Sequence, residues 1–135
     1  MPGQKAYLNQ EDAQRILAAA NAHAEQNNWG VSIAVVDDGG HLLAFTRRDA
    51  APTISTYISQ EKAKTAALGR RESKVYEDII NGGRQSFMKA TPMMNGTLEG
   101  GVNIVVDGHT IGAVGVSGVK SSEDAEIAKA GIAAL

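Results

Sequence analysis

The chain has 135 residues and a mass of 14.1 kDa, enough to bury a core without staples, and residues 1–135 read as one domain. It contains no cysteine, which excludes disulfides, thiolate metal ligands and a cysteine nucleophile. The formal net charge is -2, yet nine of the thirteen Lys and Arg residues lie between Arg47 and Lys89 against five acids, so this segment is locally +4 and the remainder -6. Such an asymmetry fits either a solvated face or a site for a small anionic molecule. One Trp, three Tyr, two Phe and a pI near 5.9 argue against nucleic acid as a partner. The opening MPGQKAYLNQ carries no basic-then-apolar leader pattern and no apolar run is long enough to span a bilayer, so the expectation is a cytoplasmic protein without a membrane partner.

Asn9 is placed as an N-cap, with Glu11 and Asp12 at the positive end of a helix whose apolar positions Ala13, Ile16, Leu17, Ala20 and Ala24 keep helical spacing to about Asn27 or Asn28. Alternation from Val31 to Val36, the turn Asp37-Asp38-Gly39-Gly40 and a second run from His41 to Arg48 predict a hairpin. Ile54, Ile58, Ala63 and Ala66 predict a helical stripe. Ser73 is expected to cap a shorter helix carrying Val75, Ile79 and Ile80, which Gly82-Gly83 ends. From Arg84 to Gly101 the pattern dissolves into a long loop, with one further strand expected around Ser86 to Lys89. A second hairpin spans Gly100 to Gly118 around Asp107-Gly108. Its last strand sets Val114 and Val116 on one face and Ala113, Gly115 and Ser117 on the other, so something must approach the second face closely, either a packed helix or a ligand. Ser121 and Asp124 resemble a capping box, and Ala125, Ala128, Ile132 and Leu135 stripe a last helix. Together these elements predict an α+β domain: an antiparallel sheet of about five strands, built on two Asp-Gly hairpins, covered by helices.

Lys62 follows Ile58 by four residues and Ile54 by eight, which places its ammonium on an apolar stripe. Either its stem packs and its head snorkels to water, or it faces a pocket as a carboxylate clamp or a catalytic amine. Arg47, Arg70, Arg71 and Arg84 are candidate anion clamps, and Glu99, beside Gly100 and Gly101, is a candidate general acid or base. His23, His41 and His109 lack the spacing of a helical metal pair, so no metal site is expected. Any of them, or Met88, Met93 or Met94, remains a candidate haem contact. Gly112, Gly115 and Gly118 do not form a GxGxxG loop, and no GKS/T, GxSxG or HExxH motif is present.

Three blocks carry a resemblance: AVVDDGGHLLAFTRRD from Ala34, EKAKTAALGRRESKVYED from Glu61, and EGGVNIVVDGHTIGAVGVSGVKSSEDAEIAKAGI from Glu99. Together they resemble the GlcG/HbpS family, which includes the C-terminal domain of PduO-type proteins. The chain departs from that pattern at Asn103, where the family often has proline, and at Gly69, where a bulky residue commonly precedes the arginines. The resemblance implies a profilin-like α-β-α domain that assembles into homo-oligomers, tetramer to octamer. It further implies a small-ligand binder in a catabolic setting, with haem a candidate cofactor and an anionic planar molecule a candidate ligand. The alternative it carries is a cofactor-free hydrolase, deaminase or lyase acting on an imine-like or enamine-like carboxylate of aromatic or nitroaromatic degradation. In that case Arg47 and Arg70 would hold the carboxylate, and Lys62 or Glu99 would move protons.

Overall fold

A computed structural model describes residues 1–135. Helix α1 (Gln10–Gln26) starts at Asn9, whose side chain accepts from the Asp12 N–H, and leads through Trp29 to strand β1 (Ser32–Asp37). Strand β2 (Leu42–Arg47) returns alongside β1, followed by helices α2 (Ser55–Gly69) and α3 (Ser73–Asn81). A 3-10 turn (Gln85–Lys89) then precedes β3 (Gly101–Val106), β4 (His109–Ser117) and helix α4 (Ser121–Ile132). No helix is long and apolar enough to cross a membrane.

The sheet is fully antiparallel in the order β2-β1-β4-β3, so the two hairpins join through their inner strands. Asp107 and Gly108 have φ of 51° and 78°, the paired positive values of a tight hairpin turn. Sheet and helices thus form three layers. Ile33, Val35, Val102, Ile104, Val114 and Val116 point to one side and meet Ile16, Ala20, Ile127 and Ala128 of α1 and α4. Ala34, Val36 and Ala113 point to the other and meet Ala63, Ala66 and Ala67 of α2.

That second interface is backbone on backbone. A Cβ at Gly115 would stand 2.0 Å from the Ser59 carbonyl oxygen and 2.4 Å from the Ala63 nitrogen, so the bare face of β4 is the seat of α2. At Gly101 a Cβ would lie 2.2 Å from the Lys62 carbonyl oxygen, and at Gly96 2.2 Å from the Glu61 carbonyl carbon. The long loop therefore lies against α2, anchored where the Gly96 N–H donates to Thr65 Oγ1.

Four expectations change. The segment around Ser86 to Lys89 is a 3-10 turn with no buried residue, leaving four strands rather than about five; it packs through Phe87 on Tyr76 of α3, ring centroids 5.3 Å apart. The buried stripe of α2 runs through Ser55, Ser59, Lys62, Ala63 and Ala66, whereas Ile54 is 59% exposed, because each step of four residues drifts about 40° around a helix. Ser73 does not cap α3; Glu72 precedes it, and the Ser73 hydroxyl is turned inward to the Leu98 and Gly101 carbonyls. At α4, Glu123 rather than Asp124 accepts from the N–H of the capping residue Lys120, and Asp124 turns into the protein.

Gly115→Val should force α2 off the sheet and lower the unfolding free energy by about 1–3 kcal/mol or more, measured by urea denaturation, whereas Gly108→Asn, in open space at the turn, should cost much less.

Candidate functional site

The sequence-predicted residues separate into distinct places. Lys62, Gly100 and Gly101 meet at the start of β3. The Lys62 side chain is 2% exposed and its ammonium donates to the Val116 carbonyl at 2.9 Å and to Asp124 Oδ2 at 3.0 Å. Asp124 is equally buried and also accepts from the Val119 N–H at 3.2 Å. Lys62 thus leaves α2 on one side of the sheet and pairs with α4 on the other. Passage around the sheet depends on Gly100, where a Cβ would stand 2.7 Å from the Lys62 nitrogen. Burial pushes the Asp124 carboxyl up, and the Lys62 charge and hydrogen bond act against it. Glu99 is half-buried, and its backbone N–H donates to Glu77 Oε1.

Arg71 and Arg84 lie on the exposed surface near aromatic rings, 5.4 Å from the Tyr76 centroid and 5.8 Å from the Phe87 centroid. Tyr76 also fills the space beside Gly69, where a Cβ would clash with its hydroxyl.

Arg70 lies at the opposite end of α2 from Ser55, in the left-handed conformation that closes the helix (φ 58°), and its guanidinium donates to the Asp38 carbonyl at 2.6 Å. It lines an open cleft of about 300 Å³ at the turn end of the sheet with Lys5, Asp38, Asn103, Val105, Gly108, His109 and Thr110. Asn103 donates to Thr110 Oγ1 at 3.0 Å, so its amide forms part of the cleft wall. The Asp38 carboxyl is held below its ordinary value of 3.8 first by the Lys5 hydrogen bond and then by the Lys5 and Arg70 charges. Sequence reasoning missed Lys5 because nothing local ties the N-terminal segment to a turn more than thirty residues away.

Arg47 lines a second cleft, of about 350 Å³, beside the start of β1, with Asn21, Asn28, Trp29, Gly30, Thr46, Arg48, Asp49 and Ala50. Pairing of Arg47 with Ser32 sets its side chain on the α2 side of the sheet, whereas Arg48 turns to α1 and donates to Asn21 Oδ1 at 2.9 Å. Neither cleft includes Lys62 or Glu99 in its lining.

Lys62→Met should cost about 3–5 kcal/mol in urea denaturation, because it strands a buried carboxylate, and Lys62→Met combined with Asp124→Leu should recover much of that loss. For Asp38, whose carboxylate is favoured above the ordinary value and loses its partners as pH falls through the lowered native value, Lys5→Ala should move the NMR-observed titration up toward 3.8.

The comparisons with known proteins agree with this architecture. A family model described as "Haem degrading protein HbpS-like" matches residues 8–133. Protein GlcG of Escherichia coli strain K12 is 59% identical over 113 residues, 84% of this chain and 83% of its own. The crystal structure of a double mutant of Streptomyces reticuli HbpS superposes with a TM-score of 0.89 at 28% identity, covering 99% of this chain and 90% of that one. The crystal structure of a PduOC:haem complex also superposes with a TM-score of 0.89, at 26% identity and 96% coverage of both chains. With the four-strand sheet, the glycine-seated helix and the second Asp-Gly hairpin all in place, the chain belongs to the HbpS-like (GlcG/HbpS) family.

Proposed function

We propose that the protein binds a small anionic molecule in the cleft formed by Lys5, Arg70 and His109 at the turn end of the sheet. The observation that carries this reading is electrostatic: two cationic side chains and an imidazole line the cleft against one carboxylate, Asp38, whose ionised form the Lys5 hydrogen bond and the Lys5 and Arg70 charges favour. A guanidinium at a helix end and a lysine on a mobile-length stem are suited to a carboxylate, the first by its planar two-pronged donors and the second as a point charge. The Asn103 and Thr110 side chains add hydrogen-bonding walls beside the charges.

Haem is one ligand of this class, and the PduOC:haem complex supports considering it here. Lys5 and Arg70 suit its propionates and His109 would offer an imidazole, the group that commonly holds haem iron. The porphyrin faces are less well served, since Val105 is the one hydrophobic lining residue. A haem seated here would need a further apolar surface over Val105, which is 55% exposed. Self-association would supply such a surface, and the exposed Ile54, Tyr57, Met88 and Met93 support it.

The cofactor-free enzyme reading places proton transfer on Lys62 or Glu99. The Lys62 ammonium is engaged by Val116 and Asp124 inside the protein, so ligand binding at the charged cleft is the reading that the geometry favours.

Titrating the protein with malonate should perturb the Gly108 and His109 amide NMR signals saturably, and Arg70→Ala should weaken that response about tenfold, in line with loss of a charge-assisted hydrogen bond. Unchanged affinity in Arg70→Ala would remove the anion site. Addition of haemin should shift the Soret band in the wild type and not in His109→Ala; no wild-type shift would remove haem while leaving the malonate result standing.

A further inference from the structure

Drawing a guanidinium partly out of water is costly unless a carboxylate or other acceptors compensate it. Arg48 is such a group, half-buried on the α1 side of β2, and its side chain makes one hydrogen bond, to the neutral amide oxygen of Asn21 at 2.9 Å. No acid lies within ion-pair distance of it. It lines the cavity of about 350 Å³ beside the start of β1, which holds one acid, Asp49, and two arginines. Trp29, the chain's single tryptophan, lines the same cavity and is half-buried. On the α1 side the indole leans toward His23, with ring centroids 6.1 Å apart.

From these features we infer a second ligand site, separate from the Arg70 cleft, that takes a small aromatic carboxylate. Each part of the ligand has a counterpart. The guanidinium of Arg48, which has no acid partner, donates to the carboxylate, and the indole of Trp29 supplies a flat apolar surface for the ring. The Thr46 hydroxyl and Asn28 amide offer hydrogen bonds at the rim, and Asp49 disfavours ligands with a second negative charge on that side. A cavity of this size is at the small end of ligand sites, which limits the ligand to about one ring. The scaffold is firm: the Arg48 N–H donates to the Val31 carbonyl at 3.0 Å, and the Trp29 N–H donates to the Ala24 carbonyl at 2.9 Å.

Because Trp29 is the single tryptophan, its fluorescence reports this cavity directly. Benzoate should change the emission saturably, while benzamide, of the same shape but uncharged, should bind at least tenfold more weakly, and acetate, charged but without a ring, should also bind at least tenfold more weakly. Arg48→Gln should lower benzoate affinity at least tenfold. If that variant does not fold, Arg48→Lys, which keeps the charge but loses the planar fork, should lower it several-fold. Equal response to benzoate and benzamide, unchanged affinity in the folded Arg48 variant, or no saturable change with benzoate would each overturn the inference. None of these outcomes bears on the Arg70 cleft, which lies at the other end of the sheet and contains no tryptophan.

Discussion

The structure depends on how closely the backbone of α2 lies against its surroundings. Gly115 below it, Gly101 at its flank and Gly96 in the covering loop each stand where a Cβ would be within about 2.2 Å of the helix backbone. At such distances the helix presents mostly small side chains inward: apart from Lys62, its buried positions are Ser55, Ser59, Ala63, Thr65, Ala66 and Ala67. Dispersion between the closely seated backbones replaces the interdigitated side chains of the opposite face, where Ile16, Ile33, Ile127 and Val116 form an ordinary apolar core. The one long side chain buried on α2, Lys62, is accommodated because Gly100 leaves it a way past the end of the sheet to Asp124.

This close seating determines where a ligand can bind. The space between sheet and helix, where a bare glycine face first suggests a pocket, is already filled by backbone. Open volume occurs instead at the two ends of the sheet, where loops and helix termini diverge. One end gathers the cations of the N-terminal segment and of the α2 terminus around the Asp38 turn. The other pairs an unbalanced guanidinium with an indole. The basic middle of the sequence therefore does not form one surface: its charges are spread over a buried ion pair, surface ion pairs, two clefts and the aromatic rings of Tyr76 and Phe87.

Membership in the HbpS-like family accounts for the fold without assigning the chemistry of these sites. At Gly69 the ring of Tyr76 occupies the space that a side chain would need, so the end of α2 is packed from α3. Asn103 places a polar group in a cleft wall, where its amide donates to Thr110 across the hairpin.

Local chemistry made much of the fold readable from the chain. Asn9 as a cap, the alternation of Val31 to Val36, and Asp107-Gly108 between two apolar runs each act within a few residues, and each stands in the structure as expected. The two faces of β4 were likewise legible, since side chains alternate strictly along a strand. Lys62 was marked as core-facing, but its partner was not, because Asp124 is 62 residues away and only the packing of α4 behind the sheet brings them together. The arginines show the same limit: Arg47 and Arg48 are neighbours in sequence, and the pairing of β2 with β1 turns them to opposite sides. Sequence by itself determined the elements and which of their faces are apolar, because those follow from local periodicity. Tertiary structure alone decided which charges meet, which are left without a partner and where open space remains, because these depend on distances between segments far apart in the chain.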